Sequence, residues 1–185
     1  IYAYITNFLN RHQAKTIVFD IAFNGGDDTL FPESDTLFAD SVLTSKSRVV
    51  SDIFLENKEN QHSFTEEEQL FLKKQTIELQ GNTRIKDYLR QNALHALPFN
   101  KLLDTPMEYY SPGGSIYDST GAYRFVAPFT NFNDQYTLVN LPLAVVSDMN
   151  KSFTMLKNGN VQNGNTTYDF KGWPLPIIKW HGDMR

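Results

Sequence analysis

The sequence predicts an α/β fold: a mixed, mainly parallel central sheet flanked by helices, with hairpins toward the C-terminus. Three observations predict it. Thr16 to Phe23, TIVFDIAF, is the β-branched and aromatic run expected of a buried central strand. A helical segment and a second β-branched run, Arg48 to Leu55, follow within the length of a right-handed crossover, so the two strands should pair in parallel. Asn158-Gly159 and Asn163-Gly164 mark tight antiparallel turns near the end.

Taken in order, Ile1, Tyr2, Tyr4, Ile5, Phe8 and Leu9 recur at helical spacing and predict a helix packed on the sheet. The strand with Asp20 inside it follows, then the turn-rich loop Asn24-Gly25-Gly26-Asp27-Asp28, placed where open α/β sheets receive ligands. Ser34 or Asp35 caps the next helix, which buries Leu37, Phe38, Val42 and Leu43. Thr65-Glu66-Glu67-Glu68 has the form of a capping box, opening a helix that Gly81 can close, with a thin apolar stripe of Leu70, Phe71, Ile77 and Leu79. A further amphipathic helix is expected around Ile85, Tyr88, Leu89 and Ala93.

Residues 97–115 are punctuated by Pro98, Pro106, Pro112, Gly113 and Gly114 and read as an irregular connection. Tyr117 to Gly121 is a tight turn into a strand from Ala122 to Phe129, in which Arg124 points opposite to Tyr123 and Phe125. Asn140 with Pro142 opens a short buried helix. Short strands near Phe153 to Leu156 and Thr166 to Phe170 flank the Asn-Gly turns, and Pro176 to Trp180 is a last strand.

The chain of 185 residues reads as a single domain spanning 1–185. Its net charge of −4 and its 17 scattered Lys and Arg residues argue against a nucleic-acid partner. The absence of cysteine excludes disulfides, thiolate metal sites and a cysteine nucleophile. No apolar run reaches the roughly 18 residues of a membrane span. The chain begins at Ile1 rather than Met and reads as a piece of a longer protein.

Asp20, Asp27 and Asp28 have the residue types for a hard cation, but the favoured reading is that Asp20 accepts backbone hydrogen bonds at a strand end. No metal or cofactor is assigned. His12, His62, His95 and His181 lack the spacing of a zinc site and are expected at surfaces. No nucleophile elbow or phosphate loop occurs, so no catalytic residues are assigned. Tyr109, Tyr110, Tyr117, Tyr123, Trp173 and Trp180 read chiefly as core and hairpin packing.

Four pieces, in order, resemble the CHASE domain of the second family, the extracytoplasmic sensory module of bacterial cyclases and kinases. They are AKTIVFDIAF at Ala14 to Phe23; Asp35 with Leu37-Phe38-Ala39 and then Arg48-Val49-Val50; Asp118-Ser119-Thr120-Gly121 leading to Arg124 and Pro128; and Ile177 to Gly182. The third piece is similar to the family's D-x-D-G-x-x-R-x-x-P, with Thr120 where a second acidic residue often stands. The strand and W-P-x-x-R segment that open the family pattern are absent, which implies truncation at the N-terminus.

The resemblance implies a non-enzymatic sensor held in the periplasm as part of a membrane-anchored receptor of the inner membrane. Its output would be a class III adenylate or guanylate cyclase. A histidine or serine/threonine kinase output, and a metal-dependent hydrolase using the Asp20 loop, are the alternatives. The ligand-contacting candidates are Asp20, Asp27, Asp28, Asp118 and Arg124; the partner would be a small-molecule or protein signal, with a homodimer as a candidate assembly.

Overall fold

Tyr2–Arg11 forms α1, Thr16–Phe19 β1, Ser34–Leu43 α2, Arg48–Asp52 β2 and Leu55–Glu56 β3. Glu66–Gln75 forms α3, followed by the short strands β4 at Leu79–Gly81, β5 at Arg90–Gln91 and β6 at Ala93–Leu94. Asn100–Leu103 is α4, Glu108–Tyr110 β7, Ser115–Tyr117 β8, Tyr123–Val126 β9, Phe129–Phe132 β10 and Tyr136–Val139 β11. Leu141–Val146 is α5, and Phe153–Met155, Val161–Asn163 and Thr166–Tyr168 are β12, β13 and β14. The structure is a computed structural model that describes residues 1–23, 31, 33–53, 55–56, 65–81, 90–91, 93–94, 98–110, 115–117, 123–126, 128–132 and 135–169. Among these, no helix is long and apolar enough to cross a membrane.

The mixed α/β class holds, and its principal sheet is parallel, in the order β1-β2-β7. β1 and β2 pair in the expected parallel sense, with Thr16 opposite Arg48 and Phe19 opposite Ser51. β2 pairs onward with β7, Asp52 lying opposite Tyr110. Among the described strands of this sheet the middle one is β2, with the Thr16 run beside it. β1 stops at Phe19 and, among the described strands, pairs on one side with β2; its Val18 is 42% exposed. An apolar run measures burial of the segment and not its rank in the sheet.

β2 divides two cores by alternation. Val49 and Ile53 join Ile17, Phe19, Phe38, Val42 and Tyr109 on the side covered by α1 and α2, whereas Val50 joins Tyr110, Leu143, Ala144 and Phe153 on the side of α5. Phe129 with Val139, and Phe132 with Leu138, make the same division in the sheet β11-β10-β5. A four-stranded sheet, β14-β13-β12-β4, completes the C-terminal part, with Gly159 and Gly164 at positive φ in its two turns as the Asn-Gly pairs predict.

The helices show where periodicity misleads. α1 forms as expected, but its inward residues are Ala3, Ile5, Thr6 and Leu9, with Tyr2 edge-on to Phe19 and Phe23; Ile1, Tyr4 and Phe8 face outward. Gln13, at φ 60, ends the helix in the left-handed conformation usually taken by glycine. α2 buries Phe38 and Val42 but leaves Leu37 and Leu43 exposed, and its N-cap is Glu33. The Thr65–Glu68 capping box is present, yet α3 ends at Thr76 rather than at Gly81. Gly81 instead closes β4 against β12.

Ala93 belongs to a strand and not to a helix; Ile85, Tyr88 and Leu89 lie outside the described residues. The Pro-rich stretch read as irregular contains α4 and β7, the third strand of the principal sheet. The strand expected across Ala122 to Phe129 is divided between β9 and β10. Asn140 caps α5, its Oδ1 accepting the Leu143 N–H at 2.8 Å. The last strand expected at Pro176 to Trp180 lies outside the described residues.

Candidate functional site

The carboxyl ends of β1 and β2 bring together two acidic side chains. Counting on from the parallel register, in which Phe19 lies opposite Ser51, Asp20 and Asp52 are neighbours at the ends of adjacent strands. Asp20 is solvent-exposed, whereas Asp52 is 1% exposed. Neither oxygen of Asp52 has a hydrogen-bond donor among the described residues. Burial pushes the Asp52 carboxyl up to about 8; the hydrogen bond it shares with Asp20, and then the charge of Asp20, push in the same direction. Two carboxyl groups hydrogen-bond each other only across a proton, so this pair is stable when one member is protonated or when a cation stands between them.

The same sheet face is fully satisfied at its amino end. Arg48, two residues before Val50 and four before Asp52, sets Nε 3.0 Å from both Glu108 carboxylate oxygens and donates from Nη1 to the Ala144 carbonyl at 3.1 Å. Its Nη2 lies 2.6 Å from Glu108 Oε2 and 3.0 Å from the Tyr110 hydroxyl, which itself donates to Glu108. The bond to Glu108 chiefly raises the Arg48 pKa, and burial first, then the Glu108 contact, raises that of Tyr110. This network ties β2, β7 and α5 together, and none of its hydrogen bonds goes to Asp52. A polar cleft of about 550 Å³ opens beside it, lined by Lys74, Gln75, Ser147 and Asp148 as well as Arg48 and Glu108.

Beyond β1 on the opposite face lies a larger cleft of about 740 Å³. Tyr2 of α1, Ile21, Ala22 and Phe23 after β1, Phe38 of α2 and Phe99 before α4 line it, with Glu33 and Asp35 at the start of α2. Tyr2, Phe19, Phe23 and Phe38 pack largely edge-to-face, with centroids 4.7–5.8 Å apart. Ser51 holds the segment after β1 in place by donating to the Ile21 carbonyl at 2.6 Å. The cleft is of ligand size and sits at the carboxyl end of a parallel strand.

Of the five candidates named from sequence, Asp20 is in this region. Asp27, Asp28 and Asp118 lie outside the described residues. Arg124 is in β9, but its side chain is not among those described; the backbone register pairs Phe125 with Ile116 and Tyr123 with Tyr117, passing over Arg124. The backbone donors expected for Asp20 belong to the 24–28 loop, outside the described residues; the described neighbour of Asp20 is Asp52. Sequence reading missed Asp52, although TIVFD and RVVSD each carry Asp as the fifth residue of a run predicted to pair in parallel. His12 is exposed and rests against Phe8, as expected of a surface histidine.

Fold and site together define a mixed α/β domain with a ligand-sized cleft and an acidic pair at the carboxyl end of a parallel sheet. No family model matches the chain, and no curated protein or solved structure matches it significantly.

Proposed function

We propose that this chain is the ligand-sensing domain of a bacterial transmembrane signalling receptor, of the kind the CHASE resemblance implies, and that it senses at the cleft beyond β1. The observation that carries the reading is that cleft: about 740 Å³, with aromatic walls and with Glu33 and Asp35 at the helix that borders it. Aromatic walls with nearby carboxylates suit a small ligand with an apolar body and a cationic end. In this reading the domain binds and does not turn over its ligand. The receptor is held in the inner membrane with this domain in the periplasm, a nucleotide cyclase is its output, and a histidine or serine/threonine kinase is the alternative output.

Thermal-shift screening of the purified chain against small aromatic and aliphatic amines tests the binding step. A stabilising ligand whose effect is lost in Ala22→Trp, which fills the cleft, is the expected result. Turnover of a phosphoester, ester or glycoside panel, abolished by Asp20→Asn, would overturn the sensor in favour of a hydrolase. The reading frame around the segment tests the rest: flanking hydrophobic helices and a cyclase or kinase domain are expected, and a frame without them refutes the receptor.

A further inference from the structure

The acidic pair on the other face of β1 has a chemistry separate from the cleft. Asp52 is almost wholly buried, and no donor among the described residues reaches either of its oxygens. A buried carboxylate without a donor or counter-charge is among the costliest groups a fold can hold. The cation and hydroxyl on the same face do not reach it: Arg48, four residues back along the strand, and Tyr110 are both directed at Glu108. What does lie beside Asp52 is Asp20, exposed to solvent at the end of the neighbouring strand.

We infer that Asp20 and Asp52 together bind one hard divalent cation, Mg²⁺ or Ca²⁺, at the carboxyl end of the β1–β2 pair. Binding displaces the proton that the pair holds without the ion, after which two carboxylates match a double positive charge, and oxygen ligands match a hard ion. No group of three or more acidic, histidine or cysteine ligands occurs among the described residues, so the remaining positions are filled by water reaching the ion from the Asp20 side. Mg²⁺ is commonly held in this manner, through one or two carboxylates with several waters retained. Asp52 is thus a partner for Asp20 that the sequence did not offer, while Asp27 and Asp28 lie outside the described residues, and the proposal departs from the expectation of no metal. It stands independently of the sensing cleft: a cation that binds without any amine ligand, or the reverse, separates the two.

Isothermal titration of the full 185-residue chain, stripped with EDTA, with MgCl₂ and separately with CaCl₂ tests it. One site per chain is expected, with a dissociation constant on the order of 0.1–1 mM, as in weak extracellular calcium modules. Asp52→Asn and Asp20→Asn should each weaken binding at least tenfold. Asp20 is exposed, so its variant stays informative if the buried one folds poorly. No saturable binding of either ion by the parent, or undiminished binding in the Asp20→Asn variant, overturns the inference.

Discussion

Replacing Asp52 with asparagine is expected to stabilise the metal-free protein by an amount that grows with pH. In the folded protein the Asp52 carboxyl titrates at about 8 instead of 3.8, first because burial penalises its anion and then because of its hydrogen bond with Asp20. Between those values the native state keeps a proton that the unfolded chain has released. The stability tied to this group is therefore fully present below the unfolded value and is lost as pH rises through the folded one. Each pH unit within the window costs about 1.4 kcal/mol, so going from near pH 4 to near pH 7 withdraws on the order of 4 kcal/mol. The amide has the shape of the protonated carboxyl and no proton to lose. In EDTA, Asp52→Asn should match the parent near pH 4 and exceed it by about 2–4 kcal/mol near pH 7. Urea unfolding of both proteins across that range reads the difference. A gap that fails to widen with pH, or a variant less stable than the parent near neutrality, refutes the view of Asp52 as a buried carboxyl without a donor.

Two glycines offer a paired test of backbone geometry. Gly81 has φ +88 and a Cβ there would stand 2.2 Å from the Met155 carbonyl oxygen, whereas Gly164 has φ +58 and its Cβ would meet only the flexible Lys151 side chain. Gly164→Ala should cost about 1–2 kcal/mol for the left-handed backbone alone, and Gly81→Ala clearly more, because β4 must leave β12; equal losses of Tm would contradict the close approach. Gln13→Gly should stabilise by about 0.5–1 kcal/mol by relieving the left-handed conformation at the end of α1, and a lower urea midpoint would count against it. Arg48→Lys should cost about 1–3 kcal/mol in chemical unfolding, because an ammonium cannot hold Glu108, Tyr110 and the Ala144 carbonyl together; an unchanged midpoint would show that the network is dispensable.

How much of this was legible in the sequence depended on whether the signal was local. The capping box at Thr65, the cap at Asn140 and the Asn-Gly turns were read correctly because each is completed within a few residues by hydrogen bonds or by glycine's freedom at positive φ. The outward rotation of α1 was not legible, since Tyr4 and Phe8 satisfy a helical period as well as the residues that face inward. β7 was missed because Glu108-Tyr109-Tyr110 is too short for an alternation to register, and its proline neighbours favoured a loop. The acidic site was half legible: Asp20 announced itself as a charge within an apolar run, while Asp52 required the register between two strands.

The contrast along β2 explains why Asp52 points to function rather than to stability. Arg48, Val50 and Asp52 lie on one face of one strand and meet three different fates. The arginine is matched by a carboxylate, a hydroxyl and a carbonyl, and the valine enters an apolar core. Asp52 is buried with a second acid as its neighbour. A fold able to supply Glu108, Tyr110 and Ala144 to one charge of this face has the means to satisfy another. An asparagine at position 52 would remove the conflict at little cost in shape. Local conflicts of this kind collect at functional sites, where a ligand supplies what the protein leaves out. Asp52 lies at the carboxyl end of a parallel strand, beside an exposed partner, where open α/β sheets place their ligands. The buried carboxyl without a described donor and its position thus give the same answer, one by its energetics and one by topology.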